Sequence, residues 1–192
     1  YLARLVLFLS PWALKAPSLK PGNMIVICAP HTSFWDGFWT FLLLFATRTQ
    51  AHFLIWHSHY NKIKWFYDML GGIPVYPGRN GLVELLQANF SESDNYKLFL
   101  SPEGCCEAVD WRLGFYRIAL QHNVPILLGY LDYGSKKIGL DTYIQPSGDV
   151  IADCDKIANF YDNIQAKYPE KFTNLKLSES QIASFQQNID EA

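Results

Sequence analysis

Met24-Ile25-Val26-Ile27-Cys28-Ala29-Pro30-His31-Thr32-Ser33-Phe34-Trp35-Asp36-Gly37 reads as a strand, a turn and the opening of a helix. The apolar run Met24 to Ala29 has strand character, and Pro30 ends it. The hydroxyls of Thr32 and Ser33 then mark a helix start, with the helix continuing to Thr47. His31 and Asp36 therefore flank a strand-to-helix turn. Residues five apart on one continuous helix point roughly 140° away from each other, so the two side chains meet only if His31 precedes the helix. A neutral imidazole there can take an alcohol's proton, with the carboxylate fixing its tautomer and balancing its charge. The competing reading is a Ser-x-x-Asp helix cap, in which Asp36 meets free backbone N–H groups.

Outward from this unit, further apolar runs read as strands: His52 to Trp56, Ile73 to Val75, Lys97 to Leu100 and Val124 to Leu131. Helical patterns alternate with them at Tyr60 to Leu70, Leu82 to Phe90 and Gly114 to His122. The alternation predicts a single α/β domain over 1–192, with a mixed, mainly parallel sheet flanked by helices. Tyr130 to Ile144, turning at Gly134-Ser135 with Asp132 and Tyr133 before the turn, reads as a hairpin. Two helices, Ile151 to Lys167 and Ser178 to Ile189, form a helical segment over 150–192. Ligands of such sheets bind beyond the carboxyl ends of strands, where both His31 and Ser101-Pro102-Glu103-Gly104 stand.

Composition narrows the classes. With 49% hydrophobic and 18% charged residues over 192 positions, the chain can bury a sizeable core. A net charge of −2 argues against nucleic acid, whose phosphates call for a basic surface. The four cysteines show no CxxC spacing, and Cys105 and Cys106 are adjacent, which favours a reducing compartment. The apolar segment over 1–20, broken by Pro11, is too short to span a membrane and reads either as a membrane-docking helix or as one packed on the core. The first residue is Tyr1 rather than Met, which leaves room for a longer N-terminal anchor.

Three further segments join the His31 box: Gly71-Gly72-Ile73-Pro74-Val75 with Arg79 behind it, Leu100-Ser101-Pro102-Glu103-Gly104, and Val124-Pro125-Ile126-Leu127. In order and spacing these resemble the four motifs of the glycerolipid and lysophospholipid acyltransferases, the 1-acylglycerol-3-phosphate acyltransferase-like family, over about Val26 to Leu131. The resemblance implies a glycerol-3-phosphate acyltransferase-like fold and transfer of a fatty acyl group from acyl-CoA or acyl-carrier protein to a lysolipid hydroxyl. It implies His31 as general base and Asp36 as its partner, and a substrate-binding role for Arg79, Glu103, Gly104 and Arg112. It implies no cofactor or metal, a place in phospholipid biosynthesis, and peripheral attachment at the cytoplasmic face of a membrane. Taken locally, Arg79 also reads as a surface arginine of the Pro77-Gly78 turn, and Glu103 as a turn carboxylate.

Three departures stand out. Cys105 and Cys106 occupy the place where the family's third motif continues with Thr and Arg, Arg79 lies beyond the usual arginine position, and His57 stands near a common lysine. Arg112 is the nearest substitute cation, and the acceptor's headgroup stays open. Three rivals remain beside this reading: a hydrolase or thioesterase using Cys105 or Cys106 as nucleophile, a metal site of His52, His57 and His59, and a non-catalytic lipid-binding module.

Overall fold

The computed structural model describes residues 2–16, 19–76, 82–103 and 110–190. In chain order its elements are α1 (Leu2–Leu9), β1 (Ala13–Lys15), β2 (Met24–Ala29), α2 (Phe34–Thr47), β3 (His52–Trp56), α3 (His57–Tyr60), α4 (Lys64–Met69) and β4 (Gly72–Val75). There follow α5 (Leu82–Glu92), β5 (Lys97–Leu100), α6 (Gly114–Gln121), β6 (Ile126–Asp132), β7 (Lys137–Ile144), α7 (Val150–Tyr161), a 3-10 turn (Pro169–Lys171) and α8 (Glu179–Asp190). Among the described residues, seven strands form one sheet in the order β1-β7-β6-β2-β5-β3-β4. Every neighbouring pair is parallel except the β6–β7 hairpin, so the α/β architecture is mixed and mainly parallel.

The centre of the sheet is β2, hydrogen-bonded to β5 on one side and β6 on the other. Its side chains alternate between two cores. Ile25 and Ile27 pack with Leu98, Ile126, Leu128, Tyr116 and Tyr161, whereas Met24 and Val26 face Leu43, Phe99, Leu127 and Ile138. Ile27 pairs with Leu100 in register, so the segments leaving β2 and β5 emerge side by side. This pairing brings the His31 and Glu103 stretches to one rim.

The structure departs from the sequence-based expectation in three places. The segment Tyr60 to Leu70 is broken into α3 and α4 because Ile63 takes non-helical backbone angles, φ −140° and ψ 50°, and no side chain caps either helix start. Tyr60 and Lys64 both reach the Asp68 carboxylate across and beyond that break. The helix expected over Ile151 to Lys167 ends at Tyr161, since the following segment bonds the hairpin instead. Tyr133 N donates to Gln165 O at 2.9 Å, and Gln165 N donates to Asp132 Oδ1 at 3.2 Å.

The third departure is β1, a short strand whose residues carry no alternating pattern. It is recruited as an edge by β7, where Gly139 sits opposite Lys15 and leaves no space for a side chain. The N-terminal helix is part docked and part open. Leu7 is buried and Arg4 Nε donates to Ala46 O at 2.8 Å, while Leu2, Leu5, Phe8 and Leu9 are exposed.

Candidate active site

His31 lies in the turn between β2 and α2, outside the helix, as a meeting with Asp36 requires. Asp36 fills the cap role and faces the imidazole at once. Its Oδ2 accepts the N–H groups of Thr32 and Ser33, each at 2.7 Å, while Ser33 Oγ accepts the Trp35 N–H at 3.1 Å. This reciprocal capping box fixes the entry of α2. The same Oδ2 stands 4.0 Å from His31 Nδ1, an ion-pair distance longer than a hydrogen bond. Nε2, on the far side of the ring from this carboxylate, is the nitrogen left for an incoming hydroxyl. The His31 side chain is 28% exposed and Asp36 only 2%, so the ring is open to a ligand while its partner is sealed.

Glu103, buried after β5, holds the loop from the other side. Its Oε1 accepts the His31 backbone N–H at 3.0 Å. Ser101 Oγ donates to Cys28 O at 3.0 Å, a further tie between the two segments. Burial pushes the Glu103 carboxyl up to about 7; the His31 N–H opposes that rise and the Asp36 charge adds to it. Burial also holds the His31 imidazole below its ordinary value, against the opposing pull of Asp36. His31 is therefore neutral near pH 7, the form that accepts a proton.

Arg112 is carried to the same rim: its backbone N–H donates to Pro102 O at 2.9 Å and its side chain is exposed. Arg79, Gly104, Cys105 and Cys106 lie outside the described residues. The three histidines weighed as a metal set are distributed differently. His52 opens β3 and His57 follows its last residue, roughly 16 Å away at a rise of about 3.3 Å per residue. One stacks on Tyr96 and the other on Tyr76. Among the described residues, no group of three His, Cys, Asp or Glu side chains is arranged to hold a metal ion.

Several residues join the site without a motif to announce them. Tyr133 Oη donates to Asp36 Oδ1 at 2.6 Å across 97 residues of sequence. Its ring meets the edge of Trp12 at 4.9 Å, and Trp12 also packs on Trp39 of α2. Tyr168 N donates to Thr32 Oγ1 at 3.3 Å, and the Lys167 ammonium lies 5.3 Å from the Trp35 ring. The one sequence signal was the position of Tyr133 beside the hairpin turn. Its reach to Asp36 depends on the antiparallel return of β7 and on the segment around Gln165.

No family model matches the chain, and no curated protein sequence does. Among solved structures, the chain is similar to the 1-acyl-sn-glycerophosphate (LPA) acyltransferase PlsC from Thermotoga maritima. The TM-score is 0.53 at 11% identity, with 98% of this chain and 76% of the other covered. The likeness spans the sheet and its flanking helices: the chain has the α/β fold of that acyltransferase.

Proposed function

We propose that the chain is an O-acyltransferase that moves a fatty acyl group from acyl-CoA or acyl-carrier protein to a hydroxyl of a lysophospholipid or related lysolipid. The observation that carries this reading is the His31 turn, held between two buried carboxylates with its ring open at the carboxyl rim of the sheet. The fold shared with an acyltransferase supports it.

In the reaction, the neutral His31 takes the proton of the acceptor hydroxyl as its oxygen attacks the thioester carbonyl. Asp36 stabilises the imidazolium. The tetrahedral intermediate collapses with cleavage of the C–S bond, and the proton passes from His31 to the departing thiolate, leaving an ester and a free thiol. A thioester is already activated, so positioning and a base suffice and no acyl-enzyme is required. Glu103 organises the loop from behind, and Arg79, Gly104 and Arg112 are the proposed contacts to substrate anions. No cofactor or metal is called for.

The acceptor is a lipid, and the apolar surface on α1 and α2 suits a bilayer. Leu2, Leu5, Phe8 and Leu9 on α1 and Phe34, Trp35 and Phe38 on α2 are exposed apolar side chains on two helices that pack together. No described helix is long and apolar enough to cross a membrane. The attachment proposed is peripheral, at the cytoplasmic face, through these exposed side chains. The test is incubation with acyl-CoA and a panel of lysolipids, with product read by mass spectrometry. A single acylated class in wild type, lost in His31→Ala, is expected. Equal product from both proteins would overturn the assignment.

A further inference from the structure

We propose that Tyr133 is a positioning residue of this site: its hydroxyl holds the second oxygen of Asp36 and keeps the carboxylate aimed for His31. The inference rests on His31 and Asp36 acting as the base pair of the proposed transfer.

Asp36 is buried, and the oxygens of a buried carboxylate call for hydrogen-bond donors. Oδ2 has two, the N–H groups of Thr32 and Ser33, and both come from the turn itself. For Oδ1 the structure supplies a hydroxyl from a distant segment, at 2.6 Å. Backbone groups alone would cap α2, so Tyr133 adds something that capping does not need.

Three parts of the chain fix this phenol. The hairpin turn carries it, the Gln165 carbonyl accepts its backbone N–H, and the Trp12 ring stands perpendicular to it at 88°. Burial and the Asp36 charge push the phenol above its ordinary range, so it remains a proton donor throughout the pH range in which His31 works.

Among the described residues, the charged and titratable groups around the pair are few. His31 faces Oδ2, Glu103 lies behind the His31 backbone and raises no hydrogen bond to Asp36, and the Lys136 ammonium is 5.4 Å from the Tyr133 ring. Tyr168, bonded through its N–H to Thr32, faces Tyr133 from the C-terminal segment, and Lys167 sits beside it over Trp35. A proton on His31 removes the base, and the Asp36 charge facing the ring draws that proton in. A donor to the carboxylate favours the proton-free pair. Without that donor the pair takes its inactivating proton at higher pH, and the acid limb of the activity profile moves up.

Tyr133→Phe keeps the ring and its Trp12 contact and deletes only the hydroxyl. The expected result is a fall in kcat of about 10-fold, with KM for donor and acceptor little changed. The acid limb should move up by about 1 pH unit. The His31 imidazole resonance, assigned with His31→Gln in histidine-labelled protein, should titrate higher by a similar amount in the absence of substrate. Trp12→Phe, which keeps the hydroxyl and loosens its support, should move the limb the same way by less.

A kcat lowered equally at every pH, with neither limb nor resonance displaced, would show a merely structural tyrosine and overturn the inference. So would wild-type kinetics in a folded Tyr133→Phe protein. If the resonance moves but wild type transfers no acyl group to any lysolipid, the functional reading fails while the role of Tyr133 towards Asp36 stands.

Discussion

The two strand-to-helix connections that begin at β2 and at β3 start from similar apolar strands and end very differently. After β2 comes one helix of 14 residues, opened by the Ser33–Asp36 capping box and closed by Arg48 in the left-handed conformation. It buries Leu43, Leu44 and Ala46 against the sheet. After β3 come two helices of 4 and 6 residues, neither with a side-chain cap, and α4 buries nothing. Trp65 and Met69 are exposed there. Short uncapped helices are marginal in water, so without a buried stripe the segment settles into separate turns. The first connection holds the His31 turn through Asp36 and Glu103; the second forms a surface layer.

The comparison can be broken or sharpened by substitution. The largest effect expected is on turnover: Asp36→Asn should lower kcat by about 10²–10⁴-fold, because a misoriented imidazole loses its rate even where the fold persists. Unchanged acyl transfer would reduce Asp36 to a cap. On stability, Leu43→Ala should cost about 2–5 kcal/mol, measured by urea unfolding, since it empties a site with 2% exposure.

Glu103→Gln separates charge from packing at the rim. The carboxyl rises from 4.5 to about 7 in the folded chain, so folding favours its neutral form. The stabilisation this brings is full below pH 4.5 and is lost as the pH climbs to about 7. His31 works in the opposite sense: its imidazole is lowered from 6.5, so its contribution is present above pH 6.5 and lost as pH falls through the folded value. Melting curves across this range should therefore show wild type losing stability on the Glu103 rise, with that slope absent in Glu103→Gln. An identical slope in the two proteins would remove Glu103 as its source.

Two smaller effects complete the contrast. Ser33→Ala removes one half of the capping box and should cost about 1 kcal/mol in the same unfolding experiment. Trp65→Ser, on α4, should change stability by no more than about 0.5 kcal/mol. A large loss there would mean that the second connection packs more firmly than its exposure indicates.

Much of this architecture was legible along the chain. The bounds of β2 and β5 follow from apolar runs ended by Pro30 and by Ser101-Pro102, and the start of α2 from the hydroxyls of Thr32 and Ser33, all of them local signals. His31 and Glu103 were legible as candidates because each stands just after a strand, and Asp36 because it follows Ser33 at the start of a helix. β1 was not legible, since an edge strand of three exposed residues has no pattern of its own and exists only because β7 offers it free backbone groups. The break at Ile63 and the early end of α7 likewise depend on what the segment bonds elsewhere.

By itself, then, the sequence determined an α/β chain with an imidazole and a carboxylate flanking a strand-to-helix turn, because periodicity and capping act over a few residues. Only the tertiary structure decided that Asp36 serves cap and imidazole together, that Glu103 grips the His31 backbone, and that Tyr133 closes the last oxygen of Asp36. The last two contacts join residues 72 and 97 positions apart, and no local pattern encodes them. They arise from the register of β2 against β5 and from the turn of the β6–β7 hairpin, which packing of the whole sheet sets.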